Sequence, residues 1–336
     1  MKGLNNEEDS MNISQMIKKA KWKSTIRTVL ISLLVSVIAL FGLMLGNQYL
    51  TTKSFNRAMN SEQIMNQISG PNEVQTGQVN YSGILNGTLQ TYTAKVIDGV
   101  PIPWSDKKYN YQVFPFLNFS TLSGDVSQLI SLPDENMKKE GYEYTRSYNG
   151  LNGQREMLFY IPQVNYNGKI LNDLPLLQEM GSDKRVEMAI SFDKDYSLNE
   201  VKKLTPPGLT QTWYWVDTYD NKAFYDPYID GNGNQSYASP DIGDWVKGFG
   251  IFHTDPIEVS EKKFLDALER GVQLNGQYDY EFNRIYNYLK KDKDKPDESD
   301  IRILGVVVTG TAQELQSLNG QPYVRGVTLG AVVDKY

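Results

Sequence analysis

This chain of 336 residues contains no cysteine and a single histidine. Without a thiol it can form no disulfide, no thiolate metal site, no cysteine nucleophile and no lipid-modified cysteine. His253 alone excludes most His-based metal sites, and it leaves a His-dependent triad only Ile251-Phe-His-Thr-Asp255 to draw on. Its position just before Asp255-Pro256 reads as the join between a strand or loop and a helix start, which is a structural or capping role. Gly-x-Gly-x-x-Gly turns, phosphate loops and Gly-x-Ser-x-Gly elbows are also absent. We therefore expect a protein that is not an enzyme and needs no cofactor.

Charge is missing as well over the 25 residues from Thr28 to Thr52. A helix crosses about 30 Å of hydrocarbon with roughly 20 residues, so this window is long enough to span a bilayer, with Val29, Leu33, Val37, Leu40 and Leu45 among its anchoring side chains. Lys18, Lys19, Lys21, Lys23 and Arg27 precede it closely, whereas only Lys53 and Arg57 follow closely. Basic flanks stay on the cytoplasmic side, which predicts a cytoplasmic arm over 1–27, a span over 28–52 and an extracytoplasmic remainder. A cleavable signal peptide would have a shorter apolar region followed by a small-x-small site, and Gly46-Asn-Gln-Tyr-Leu-Thr-Thr-Lys53 offers none.

The first 52 residues carry six basic and three acidic groups, against 28 basic and 37 acidic in the rest. A net-acidic exterior argues against binding nucleic acid through a broad basic face and leaves a neutral or cationic exterior ligand open. About 280 exterior residues can bury a core without disulfides, and they predict one or two domains.

In the arm, Ile13, Met16, Ile17 and Ala20 fall at i, i+3, i+4 and i+7, one face of a helix. That stripe suits either a basic helix resting on anionic lipid or one docked on a cytoplasmic partner. From Lys53 to about Gly70 a helical stalk follows, with Phe55, Met59, Ile64, Met65 and Ile68 as a partial apolar face, and Pro71 ends it. Thereafter short runs of Tyr, Val, Ile and Thr alternate with turns. Seven Asn-Gly pairs, starting at 86, 149, 152, 167, 232, 275 and 319, predict tight turns in a β-rich exterior.

Tyr142-Glu-Tyr-Thr-Arg-Ser and Arg155-Glu-Met-Leu-Phe-Tyr-Ile161 flank Asn149 to Gly153 and predict a hairpin. Further on, the pattern strand, capping box, helix, strand occurs twice. The first copy is Val186–Phe192, Ser197-Leu-Asn-Glu200, Leu198–Leu204 and Leu209–Val216. The second is Ile301–Thr309, Thr311-Ala-Gln-Glu314, Ala312–Leu318 and Tyr323–Val333. Two β-α-β units predict an α+β fold, ferredoxin-like or a variant of it, within a C-terminal domain over 142–336. A stalk and first exterior region over 53–141 precede it. Two helices, Ser260–Gly271 and Tyr280–Lys290, are predicted in the insertion between the units.

Asp230, Asn232, Asn234 and Asp241 stand at positions 1, 3, 5 and 12 of a calcium-loop spacing. Gln235 occupies the position where that loop needs glycine, and Asp replaces the usual final Glu, so a polar turn competes with a Ca2+ site. Nearby, Asp217, Asp220, Asp226 and Asp244 lie among Trp213, Tyr214, Trp215, Tyr219, Tyr225 and Trp245, a mixture that fits a sugar or peptide surface, a glycoside-cleaving pair, or simple sheet filling.

Five phrases point further: Lys18-Lys-Ala-Lys-Trp-Lys-Ser-Thr-Ile-Arg-Thr-Val-Leu-Ile-Ser-Leu-Leu34, Arg155-Glu-Met-Leu-Phe-Tyr160, Val186-Glu-Met-Ala-Ile-Ser-Phe-Asp193, Thr212-Trp-Tyr-Trp-Val-Asp-Thr-Tyr219 and Gly305-Val-Val-Val-Thr-Gly-Thr-Ala-Gln-Glu-Leu315. Together they resemble the sigma factor regulator family of Gram-positive bacteria, over roughly 12–105 and 145–336. The resemblance implies a membrane-anchored negative regulator that holds an extracytoplasmic-function sigma factor inactive until an envelope signal arrives. It supplies no catalytic residues. An arm of about 27 residues is one helix, enough to fill a groove on a partner. The alternative is an envelope binding or accessory protein that uses the span only as a tether.

Overall fold

The computed structural model describes residues 4–114, 129–251, 256–274 and 276–335, with side chains from residue 13 onward. His253 and Asn275 lie outside the described residues. The first element, α1 (Leu4–Ile68), is one helix of 65 residues, about 100 Å long at 1.5 Å per residue. The first proline of the chain is Pro71, so no residue inside α1 lacks a backbone donor. Arm, span and stalk are therefore one rod. Gly70, at φ 72°, turns the chain out of it, and the Glu73 amide donates back to the Gly70 carbonyl at 2.9 Å.

An antiparallel meander follows, made of β1 (Glu73–Ser82), β2 (Asn86–Ile97) and β3 (Val100–Gln112). Asp98-Gly99, with positive φ at both residues, is the two-residue turn between β2 and β3. The Asn86-Gly87 pair is not the turn that was expected of it, because it opens β2 opposite Gln112 and Tyr111. Gly87 is needed for a different reason: a Cβ there would lie 2.3 Å from the Tyr111 hydroxyl.

Short elements come next: β4 (Leu129–Ser131), α2 (Glu135–Lys139), β5 (Ser147–Asn149) and β6 (Leu158–Phe159). The hairpin expected over 142–161 forms only around its turn, through a bridge between Tyr148 and Arg155 flanked by backbone bonds from Asn149 to Gln154 and from Glu156 to Ser147, while β5 also pairs with β4. Beyond the turn, residues 158–159 pair with the distant 241–242.

The C-terminal sheet is built from β7 (Lys184–Tyr196), then α3 (Leu198–Leu204) and β8 (Thr210–Val216). The two-residue β9 (Tyr228–Ile229) and β10 (Gln235–Ser236) form a small hairpin, β11 (Asp241–Ile242) pairs back with β6, and β12 (Gly248–Gly250) adds to β8. After α4 (Ile257–Val272) and α5 (Asp279–Lys290) come β13 (Ile303–Thr311), α6 (Ala312–Leu315) and β14 (Val324–Asp334). The strand order is β12-β8-β13-β7-β14 and every pairing is antiparallel.

Alternation along β7 sorts the core into two layers. Met188, Ile190 and Phe192 join Phe264, Leu268, Phe282 and Ile285 of α4 and α5, together with Ile64, Met65 and Ile68 of α1. On the opposite face Ala189 meets Trp213, Trp215 and the run from Met157 to Ile161. Gly271 lets α4 and α5 close up, because a Cβ there would sit 2.5 Å from the Phe282 ring. Both predicted capping boxes form, with Ser197 and Thr311 accepting from the amides of Glu200 and Glu314.

Candidate functional site

Every residue of α1 from 13 to 45 is exposed. Met16 is 70 % exposed, and Ile13, Ile17 and Ala20 lie on the same helix without cover from any described residue. Val29, Leu33, Val37, Leu40 and Leu45 are equally bare, in a helix whose most apolar 18-residue window has a mean hydropathy of 2.7 and no buried share. Side chains this apolar are stable unburied only against another apolar medium.

The outer end of α1 is inside the protein. Thr51, Ser61, Glu62, Ile64, Met65 and Ile68 are buried against α4, β2 and β3. Among them Glu62 is the unusual choice. Its carboxylate accepts from the Tyr278 hydroxyl, just ahead of α5, and from Gln277 Nε2 at 3.1 Å. Burial pushes its pKa up to about 7, against the opposing pull of hydrogen bonds from Tyr278 and Tyr109 and of the Lys107 charge. One carboxyl thus ties the anchor helix to the meander and to the C-terminal domain.

Beside it lies a cavity of about 480 Å³, lined by Met65, Glu73, Trp104, Lys107, Glu156 and Lys247 among others. Lys107 bonds Asp244 at 2.9 Å and stands 4.0 Å from Glu73; burial works to lower its pKa, but these carboxylates hold it above the ordinary lysine value. Glu156 is pushed up to about 7 by burial, with the Lys95 charge and an Asn149 hydrogen bond opposing. Lys247 is lowered by burial and donates to the Asp244 and Trp245 carbonyls. Groups of both signs therefore face one space at the root of α1.

The same region holds the deepest ion pair of the protein. Lys95 on β2 reaches Glu187 on β7 at 3.0 Å, and both side chains are almost fully enclosed. The ammonium also sits 3.8 Å over the Trp104 ring, while Glu187 accepts from Asn72 and the Ala331 amide. The pair, with the Trp104 ring over the ammonium and two further donors on the carboxylate, links the meander to the sheet.

The expected calcium ligands are put to separate uses. Asp230 closes its own turn by accepting from the Asn232 and Asn234 amides at 2.9 and 2.8 Å. Asp241, in β11, accepts from the Tyr219 and Tyr225 hydroxyls. Among the described residues no group of three or more acidic or histidine side chains converges. Asp217 is taken by Lys222 and Asp220 by Arg284, each at 2.8 Å. Trp213, Tyr214 and Trp215 are core, whereas Trp245 is exposed. Sequence reasoning did not single out Lys95, Glu187, Glu156, Tyr109 or Tyr278. Glu62 had left a trace, since it follows Phe55 and Met59 at i+7 on the apolar face of the stalk.

Residues 14–102 match the family model described as sigma factor regulator N-terminal, and residues 177–331 match the one described as sigma factor regulator C-terminal. The two matches together cover more than half of the chain. This protein belongs to the sigma factor regulator family. A comparison with curated proteins gives no match, and neither does one with solved structures. Within this regulator, the N-terminal match holds most of the arm, the span and the first part of the meander, and the C-terminal match holds the five-stranded sheet. Lys95 lies in one match and Glu187 in the other, so the buried ion pair is a bond between the two modules.

Proposed function

We propose that this regulator is a single-pass membrane protein that acts, by binding rather than catalysis, as an anti-sigma factor for an extracytoplasmic-function sigma factor. Its basic arm lies in the cytoplasm, where Ile13, Met16, Ile17 and Ala20 present the contact face, and its meander and C-terminal sheet lie outside. The observation that carries this reading is the unbroken α1, exposed over the arm and buried at its outer root, in a chain matching both family modules. An envelope signal that reseats the outer root must move the arm with it. The mixed-charge cavity at that root is the place where an exterior ligand would act on the rod. The same reading takes β7-α3-β8 and β13-α6-β14 as two split β-α-β units of a ferredoxin-like variant, supported by the order β8-β13-β7-β14.

The test uses the full chain in its own membrane, with the sigma factor encoded in the same transcript as prey. Co-purification is expected, reduced at least about tenfold by the pair Met16→Asp and Ile17→Asp, the size of one lost apolar anchor or more. Deleting the regulator is expected to raise transcription from promoters of that sigma factor. Absence of both effects overturns the reading. Because the chain has no cysteine, orientation is tested separately: an impermeant maleimide on intact cells should label Asn319→Cys and not Ser24→Cys.

A further inference from the structure

The meander touches α1 a second time, far from the buried root. At the β1–β2 tip the Leu85 amide donates to Asn47 Oδ1 at 2.7 Å, and at the neighbouring end of β3 the Gln112 carbonyl accepts from Ser54 Oγ at 2.9 Å. Gly46 and Asn47 are accordingly the first residues after the bare stretch to lose full exposure. A span that begins at Thr28 and needs roughly 20 residues for the hydrocarbon ends at about Asn47. The tip is thus pinned at the depth where the outer leaflet's hydrocarbon gives way to headgroups.

Its composition suits that depth. From Val74 to Ala94 there are 21 consecutive uncharged residues, and the first charged residue of α1 beyond the span is Lys53, more than a turn farther out. Ile84 at the apex is 70 % exposed, with Tyr81 and, on α1, Tyr49 exposed nearby in sequence and register. Apolar and aromatic side chains of this kind concentrate at membrane interfaces. The tip backbone is closed as well: the Gly83 amide donates to the Asn86 carbonyl and the Leu85 carbonyl accepts from Val113, both at 2.8 Å. Leu85 is held at φ 57°, a left-handed conformation that favours glycine, at the point where its amide meets α1.

We infer that the β1–β2 tip is a membrane-docking element, in which Ile84 inserts into the outer leaflet beside α1 with Tyr81 and Tyr49 at headgroup level. The partner is the lipid bilayer itself, and the effect is to seat the exterior domain on the membrane at a fixed height along the rod. This rests on the reading of α1 as a span.

Single cysteines in the otherwise cysteine-free full chain, reconstituted in vesicles of phosphatidylcholine and phosphatidylglycerol, carry an environment-sensitive fluorophore at Ile84→Cys, Leu40→Cys or Gln313→Cys. Leu40 reports the span and the exposed Gln313 reports water. The Ile84 probe is expected to emit to the blue of the Gln313 probe and to be quenched several-fold more by nitroxide-bearing lipid, approaching the Leu40 probe. A nitroxide label at the same sites should repeat the order in its accessibility to oxygen relative to a water-soluble nickel chelate. If Leu40 lies in lipid while Ile84 behaves as Gln313 does, docking is overturned. If Leu40 itself lies in water, the span reading fails and takes the docking with it.

Discussion

Along α1, residues 13–45 are exposed to the last side chain, whereas the stretch from Thr51 to Ile68 buries Ser61, Glu62, Ile64, Met65 and Ile68 against the meander and the C-terminal domain. The helix geometry is the same in both lengths, and only the solvent differs. Within the bare length, residues 28–45 carry no charge and are covered by no described residue, the composition that an apolar medium on every side requires. In the buried length one face suffices and can even hold a carboxyl, because Tyr278, Gln277 and Tyr109 are there to receive it. The buried length is thus held by specific bonds, whereas residues 13–45 have no cover among the described residues.

The strongest way to break this contrast is at the bond between modules. Lys95→Met leaves Glu187 charged, buried and unpaired, and should lower the stability of the exterior domain by roughly 3–5 kcal/mol in urea titrations of the detergent-solubilised chain. Adding Glu187→Gln to Lys95→Met should recover part of that loss. Next, Ile68→Ala empties a fully buried site and should cost about 2–5 kcal/mol, while Ile38→Ala, in the bare length, should leave the exterior transition unmoved. Equal losses from the two would erase the distinction drawn here.

A smaller effect is expected from pH. Glu62 titrates at about 7 in the folded protein against an ordinary 4.5, so the folded state binds its proton more tightly than the unfolded chain does. Stability from this group is full below about pH 4.5, falls as pH rises to about 7 and is level beyond, on the order of 1 kcal/mol per pH unit within that window. Glu156 and Glu261, raised to about 7 by burial, slope the same way. Glu62→Gln should therefore flatten the decline between pH 4.5 and 7 without abolishing it; an unchanged slope would show that Glu62 is hydrated. Smallest of all, Ser197→Ala removes one capping box and should cost about 1 kcal/mol, read as a modest drop in the thermal midpoint.

What could be read in the sequence was what neighbours along the chain decide. The helix Leu198–Leu204 lies where Ser197, Glu200 and Pro206-Pro207-Gly208 place it, since cap and stop act within a few residues. The apolar window of α1 was visible because it is one continuous stretch of a single composition. Tyr142–Ile161 misled because the partner of Leu158-Phe159 is Asp241-Ile242, some 80 residues away, and nothing local announces it. Lys95 and Glu187 are 92 residues apart and each reads as an ordinary charge on a strand. The apolar stripe of the arm is plain in the sequence as periodicity, but the junction at the root of α1 is not, because it is assembled from three distant segments.

The absence of any proline in α1 has a mechanical meaning. Pivoted at Leu40, the middle of the uncharged window 28–52, the helix reaches about 40 Å to Ile13 and about 42 Å to Ile68. It is a see-saw with nearly equal arms and no joint. A tilt of about 10° about that pivot sweeps Ile13 by about 7 Å in the direction opposite to Ile68, a little more than one helical turn. A rod without a joint passes on a lean without any change in its own shape.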